Sequence, residues 1–189
     1  MKALTRSIAL LMMGIATLSL ATSCKEDDKK KPEEKTEQTS LKGTISADRT
    51  LDAKVAYTLD GSLIVKEGAT LTIPAGTVIT SESGFDKYIL VAQGGKINIL
   101  GTADKPVTLT AKDKKAGAWG GLIINGYAPL TSSQKTYPTE INPEYPYGGD
   151  NPADNSGTIT YLKLEYCGAN KNDDVEHNTL TLNGVGSGT

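Results

Sequence analysis

The chain has 189 residues, with 20 lysines and arginines against 22 aspartates and glutamates, a formal net charge of −2. That balance, with no basic patch, excludes the electrostatic footprint of a nucleic-acid binder. Aromatic residues make up only 5% and glycines number 20, which suits a sheet protein with many corners better than a helical bundle.

The N-terminus comes first. Lys2 and Arg6 flank an apolar run from Ile8 to Ala21 that ends in small residues before Cys24. A basic start, a short apolar stretch and a small-residue cleavage site predict a secretory signal peptide over residues 1–23. The run is too short to prefer a membrane span of about 20 residues. Removing it leaves 18 basic against 22 acidic side chains, a net of −4. The stretch after Cys24, KEDDKKKPEEKTEQTS, mixes both charge signs and has nothing with which to build a core. It cannot bury enough surface to offset chain entropy, so residues 24–40 are expected to form a flexible tether.

From residue 41 the pattern changes to β structure. Between Tyr57 and Ser83 lie three β-branched runs, Leu63-Ile64-Val65, Leu71-Thr72-Ile73 and Thr77-Val78-Ile79. They are separated by Lys66-Glu67-Gly68-Ala69 and by Pro74-Ala75-Gly76. Three short strands and three corners in about 25 residues predict one coil of a parallel solenoid, not a set of tight hairpins. Leu71 to Ile97 is 26 residues and Ile97 to Ile123 is 26 again, which argues against an antiparallel sandwich. Successive coils are then expected about 4.8 Å apart. In Tyr161–Tyr166 the alternation points Leu162, Leu164 and Tyr166 inward and Lys163 and Glu165 to water. Leu180 and Leu182, 18 residues on, are expected to begin a further coil. With Cys24 set aside, Cys167 is the only thiol, so stability has to come from stacked rungs and not from a disulfide.

Two stretches are candidates for chemistry. Tyr127–Ser156 holds five of the eight prolines together with Tyr137, Tyr145 and Tyr147. A long loop on a rigid scaffold is where binding residues concentrate. Its tyrosines could stack on sugar rings, and Asp150 and Asp154 could give oxygen ligands to calcium. The alternative is an ordered excursion covering one flank of the solenoid. The second stretch is Asn172-Asp173-Asp174-Val175-Glu176-His177, an acidic pair beside the single histidine. Paired carboxylates could act as acid and base in glycoside hydrolysis, though such a cluster is more often a solvated turn. A lyase would need calcium-binding carboxylates and a lysine or arginine base on one face, and the strands offer mostly Thr, Asn and isolated Lys. Cys167 reads as a small half-buried residue. Trp119, between small residues, is expected to pack at a junction between coils and not to stand free as a sugar platform.

Several of these stretches are similar to known families. Leu20-Ala21-Thr22-Ser23-Cys24 resembles the lipobox of bacterial lipoproteins, with Ala21 where that family prefers Leu. Lys25, Glu26, Asp27 and Asp28 resemble the acidic export signal of Bacteroidetes lipoproteins. Gly101-Thr102-Ala103-Asp104-Lys105-Pro106-Val107 and Trp119-Gly120-Gly121-Leu122-Ile123-Ile124 resemble strand openings of right-handed parallel β-helix proteins. From about Leu41 onward the chain resembles the β-helix cell-surface lipoproteins of Bacteroidetes. The resemblance implies cleavage before Cys24, lipidation of its thiol and a right-handed β-helix over residues 41–189. It also implies anchoring in the outer membrane, facing the exterior. The acidic tether, the rigid repeat and the missing catalytic set then point to glycan or an extracellular protein as partner, and to no cofactor beyond the calcium that Asp150 and Asp154 could take. It implies no activity and carries no catalytic motif. Gly184–Thr189 resembles a corner entering another coil, so the chain is expected to be the N-terminal part of a longer protein. Two functions follow as expectations. One is a non-catalytic binding or adhesion scaffold; the other is a polysaccharide lyase or glycoside hydrolase with catalytic coils beyond residue 189.

Overall fold

The computed structural model describes residues 39–172 and 175–189. The expected signal peptide at 1–23, Cys24, Lys25, Glu26, Asp27, Asp28, most of the 24–40 stretch, and Asp173 and Asp174 lie outside the described residues. Thr39 and Ser40, assigned above to the tether, already pair in the first strand. The described residues form an all-β, right-handed parallel β-helix with no helix among them.

The strands follow one another around three walls. The first coil is β1 (Thr39–Ile45) and β2 (Arg49–Thr50); the second is β3 (Tyr57–Val65) and β4 (Thr70–Pro74). The third is β5 (Val78–Ser81), β6 (Gly84–Val91) and β7 (Lys96–Leu100). The fourth starts with β8 (Val107–Ala111) and β9 (Trp119–Asn125). It then leaves the helix for an antiparallel hairpin, β10 (Tyr137–Thr139) and β11 (Asn142–Tyr147), and returns as β12 (Gly157–Thr160). The fifth is β13 (Leu162–Leu164), a second small hairpin of β14 (Asn170–Asn172) and β15 (Val175–Glu176), and β16 (Leu180–Asn183). The first wall stacks β1, β3, β5, β8 and β13. The second stacks the later halves of β1 and β3 on β6, β9 and β16. The third stacks β2, β4, β7 and β12.

Like residues fall on like residues inside this helix. Tyr57, Ile79, Leu109 and Leu164 form one inward column, and Leu63, Ile89 and Leu122 form another. Ile45, Val65, Val91 and Ile124 make a third, and Ile73, Ile99 and Ile159 a fourth. Nearly all of these are buried in a single core, and each such side chain contributes roughly 1.5–3 kcal/mol of transfer free energy. Trp119 belongs to the same core at 1% exposure, and its indole N–H donates to the Glu165 carbonyl one coil on, at 2.9 Å.

The structure corrects three details of the repeat. Leu71 does lie under Ile97, but Ile97 meets Gly157 in the next coil and not Ile123. Ile123 pairs with Leu90 on the second wall and faces outward. Gly120-Gly121 imitates Gly94-Gly95 in sequence while sitting on a different wall, and the Tyr127–Ser156 excursion delays the true partner of Ile97 until Gly157. Leu180 and Leu182 do not begin a coil; they are the second wall of the coil that Leu162 and Leu164 open. Glu165 does not simply face water, since its carboxylate accepts a hydrogen bond from the Thr110 hydroxyl at 2.8 Å. Gly157 has a required identity. It has φ +122 against Ile97, and a Cβ there would collide with the Ile97 backbone.

Candidate functional site

The excursion returns to the helix because its neck is tied. Gln93 Nε2 donates to the carbonyls of Gly126 at 3.0 Å and Gly148 at 2.6 Å, closing both ends of the loop on the third coil. The β10–β11 hairpin lies over the outer side of the second wall. There Ile141 and Tyr145 pack on Ile64, Tyr88, Leu90, Ala92 and Ile123. Alternation explains the wall's outer grease, since Leu63-Ile64-Val65 and Ile89-Leu90-Val91 are apolar at every position and so present side chains to both faces. Without the hairpin that outer column would stand in water.

Tyr145 is held in place from two sides. Lys66 Nζ donates to its hydroxyl at 2.8 Å and stands 4.4 Å from its ring centroid, and this hydrogen bond raises the lysine's pKa. Asn142 Nδ2 donates to the Tyr88 hydroxyl at 3.0 Å. Beneath them sits Asn125, fully buried at 0% exposure. Its Nδ2 donates to Thr139 Oγ1 at 2.6 Å and to the Tyr145 carbonyl at 3.0 Å, and its Oδ1 accepts from Asn183 Nδ2 at 3.1 Å. One amide therefore joins the fourth coil, the hairpin and the fifth coil.

Between hairpin and fifth coil lies a cleft of about 200 Å³. Tyr147, Glu140 and Thr139 border it from the hairpin side, Glu176, Asn178 and Asn183 from the fifth coil, and Ile123 is part of its apolar lining. Tyr137 and Tyr147 stack with ring centroids 6.3 Å apart, and the pair also borders a hollow of about 240 Å³ with Leu130, Thr131 and Ser132. The cleft thus draws on both stretches singled out in the sequence. Apolar floor, aromatic edge, amides and carboxylates together match what a sugar ring presents, with its C–H face and its hydroxyls. A hollow of about 380 Å³ on the outer side of the first wall is larger. It is lined by Thr58, Val78, Thr80 and a paired Glu82 and Lys112, 3.3 Å apart, and its one aromatic, Tyr57, is buried at 6% exposure.

His177 is part of the cleft wall but is otherwise engaged. It is 4% exposed and lies between Phe85 and Tyr88, with ring centroids 4.5 and 5.1 Å away. Its Nε2 donates to the Phe85 carbonyl at 2.9 Å, while the buried Nδ1 has no hydrogen-bond partner among the described residues. Gly120 makes the seat, because a Cβ there would stand 2.8 Å from the ring's Cε1 and Nδ1. Burial, above all, pushes the His177 pKa down, against the opposing effects of the Phe85 carbonyl and Glu140. The imidazole is neutral and locked. Cys167 is half-buried, and burial pushes its thiol up to about 11, so it is no nucleophile at neutral pH.

The remaining candidates fall elsewhere. Asp150 is exposed and its carboxylate accepts from Lys135 Nζ at 2.6 Å, which holds its pKa below the usual range. Asp154 is buried at 5% and accepts from the Ser156 hydroxyl at 2.9 Å. Among the described residues, no group of three or more His, Cys, Asp or Glu side chains is placed to hold a metal ion. Sequence reasoning missed Asn125, Glu140, Asn178 and Asn183. Asn125 carried a signal: it is the polar residue closing Leu122-Ile123-Ile124, at a position where the other walls end in apolar or small residues.

A family model described as a pectate-lyase-like β-helix domain matches residues 43–189. No curated protein and no solved structure matches the chain. The match covers most of the chain and every coil from the first, in agreement with the walls described above: this chain belongs to the pectate-lyase-like β-helix family.

Proposed function

We propose that this protein is a lipid-anchored, surface-exposed β-helix that binds glycan without catalysis, in the cleft between the β10–β11 hairpin and the fifth coil. The observation that carries the proposal is the make-up of that cleft: Tyr147 beside amides, a hydroxyl and two carboxylates, next to a histidine whose ring is locked. Membership of the family fits a carbohydrate-related or surface β-helix protein. The lipobox ending in Cys24 and the acidic Lys25–Asp28 segment support anchoring in the outer membrane with the helix facing outward.

Two experiments test this. On a glycan array the purified protein should bind a defined subset of oligosaccharides, and Tyr147→Ala should lose that binding while keeping its β-sheet circular dichroism. No glycan binding at all would refute the proposal. Cys24→Ala should move the protein from the membrane fraction to the soluble one, and retention on the membrane would refute the anchor. One observation favours an enzymatic second reading, namely that Glu140 and Glu176 border the same cleft. Release of reducing ends from a bound oligosaccharide, abolished by Glu140→Gln, would establish it in place of the scaffold.

A further inference from the structure

The charge pattern of the cleft narrows its ligand, an inference that rests on the glycan-binding proposal above. Glu140 borders it from the turn between β10 and β11, and Glu176 from β15. Among the described residues, no lysine or arginine lines it. Two lysines of the surrounding elements are engaged with other partners, Lys66 with Tyr145 and Glu144, and Lys135 with Asp150. Lys171, beside the Asn170 that pairs with Glu176, does not line the cleft either. His177 supplies no cation, since it is buried and its Nε2 proton is committed to the Phe85 carbonyl.

The hydrogen-bonding chemistry points the same way. A carboxylate only accepts, so Glu140 and Glu176 favour a ligand that brings a donor to each. A sugar hydroxyl or an ammonium provides one. A uronate carboxylate provides none, and its charge would face two others with no cation between them. The Tyr147 ring adds a face on which a sugar C–H surface or an ammonium can rest. We propose that the cleft binds sugars without a carboxylate, takes a protonated amino sugar ahead of a neutral one, and excludes uronic-acid polymers. The family takes its description from an enzyme of polyuronates, and this chain's cleft is built against that substrate class.

Exposed carboxylates act through near-bulk dielectric, so each should discriminate by about three- to tenfold at low salt, and less as salt rises. The test is isothermal titration of the purified full chain with three hexamers: β-1,4-glucosamine, β-1,4-glucose and α-1,4-galacturonic acid. The expected order is glucosamine, glucose, galacturonate, with the gap between first and last shrinking at least fivefold in 0.5 M salt (roughly). Glu140→Gln combined with Glu176→Gln should shrink it similarly at low salt; both side chains are exposed, so the fold is expected to survive. Galacturonate binding as tight as glucose, and lost in Tyr147→Ala, would overturn the charge inference while leaving glycan binding intact. A glycan array in which nothing binds would overturn both.

Discussion

Asn125→Ala tests whether the excursion is fastened where the structure fastens it. The side chain is fully buried and makes three hydrogen bonds to three strands, β10, β11 and β16, at 2.6, 3.0 and 3.1 Å. Each is worth about 0.5–1.5 kcal/mol net. Some partners recover: Thr139 still donates to the Tyr145 carbonyl at 2.5 Å, and the half-buried Asn183 amide can turn to water. The loss is then about 2–3 kcal/mol, and it should fall on the hairpin before it falls on the coils. Hydrogen exchange reports this directly. Amides in β10 and β11 should exchange roughly 30-fold faster or more, while those of β4 and β7 keep their protection. Glycan affinity should fall with them, because Thr139, Glu140 and Tyr147 would no longer be held against the fifth coil. Unchanged protection across Tyr137–Tyr147 would refute the clasp. So would a uniform loss across all coils, which would make Asn125 an ordinary core residue.

Three other predictions bear on the coils. Trp119→Ala should cost about 3–5 kcal/mol in urea unfolding, since it leaves a large cavity and deprives the Glu165 carbonyl of its donor; ready acrylamide quenching of the folded wild type would contradict the burial. Gly157→Ala should cost about 3 kcal/mol or more, because it combines a positive-φ penalty with a clash on the Ile97 backbone; a wild-type melting temperature would contradict the register. For His177 the folded pKa is lowered, so the unfolded chain binds the proton more readily. That stability is complete above the unfolded value of about 6.5 and drains as pH falls below it, and His177→Phe should flatten this part of the melting-temperature profile.

How much of this was legible beforehand follows from the physics of each signal. The walls were visible because a stacked strand repeats its inward residues, as Leu71 over Ile97 and Ile73 over Ile99 do. The register failed at Ile123 because Gly120-Gly121 imitates Gly94-Gly95 on another wall, while the strand that stacks on β7 comes only after the 30-residue excursion. Trp119 was legible from its small neighbours. The excursion's tyrosines were legible as a group but not in their separate roles. Tyr145 is engaged by Lys66 through a contact 79 residues away in sequence, whereas Tyr137 and Tyr147 line the open hollows. The cleft itself was not legible, since Glu140, Asn178 and Asn183 meet only when the hairpin folds back across the second wall.

The same few residues that solve a problem of stability also build the candidate site. The second wall is apolar on both faces, and β-helices that leave such a face bare invite association with other chains. This chain covers it with a hairpin of its own, carried by Ile141 and Tyr145 and fastened by Gln93 and Asn125. A cover laid over a curved wall meets the next coil at an edge, and that edge is the cleft. Ligand bound there touches hairpin and fifth coil together, so it must stabilise the join between them. Saturating ligand at a hundred times its Kd should therefore add about 2.7 kcal/mol, chiefly as slower exchange in Tyr137–Tyr147. Binding that raises overall stability while leaving the hairpin's exchange untouched would place the ligand elsewhere on the helix.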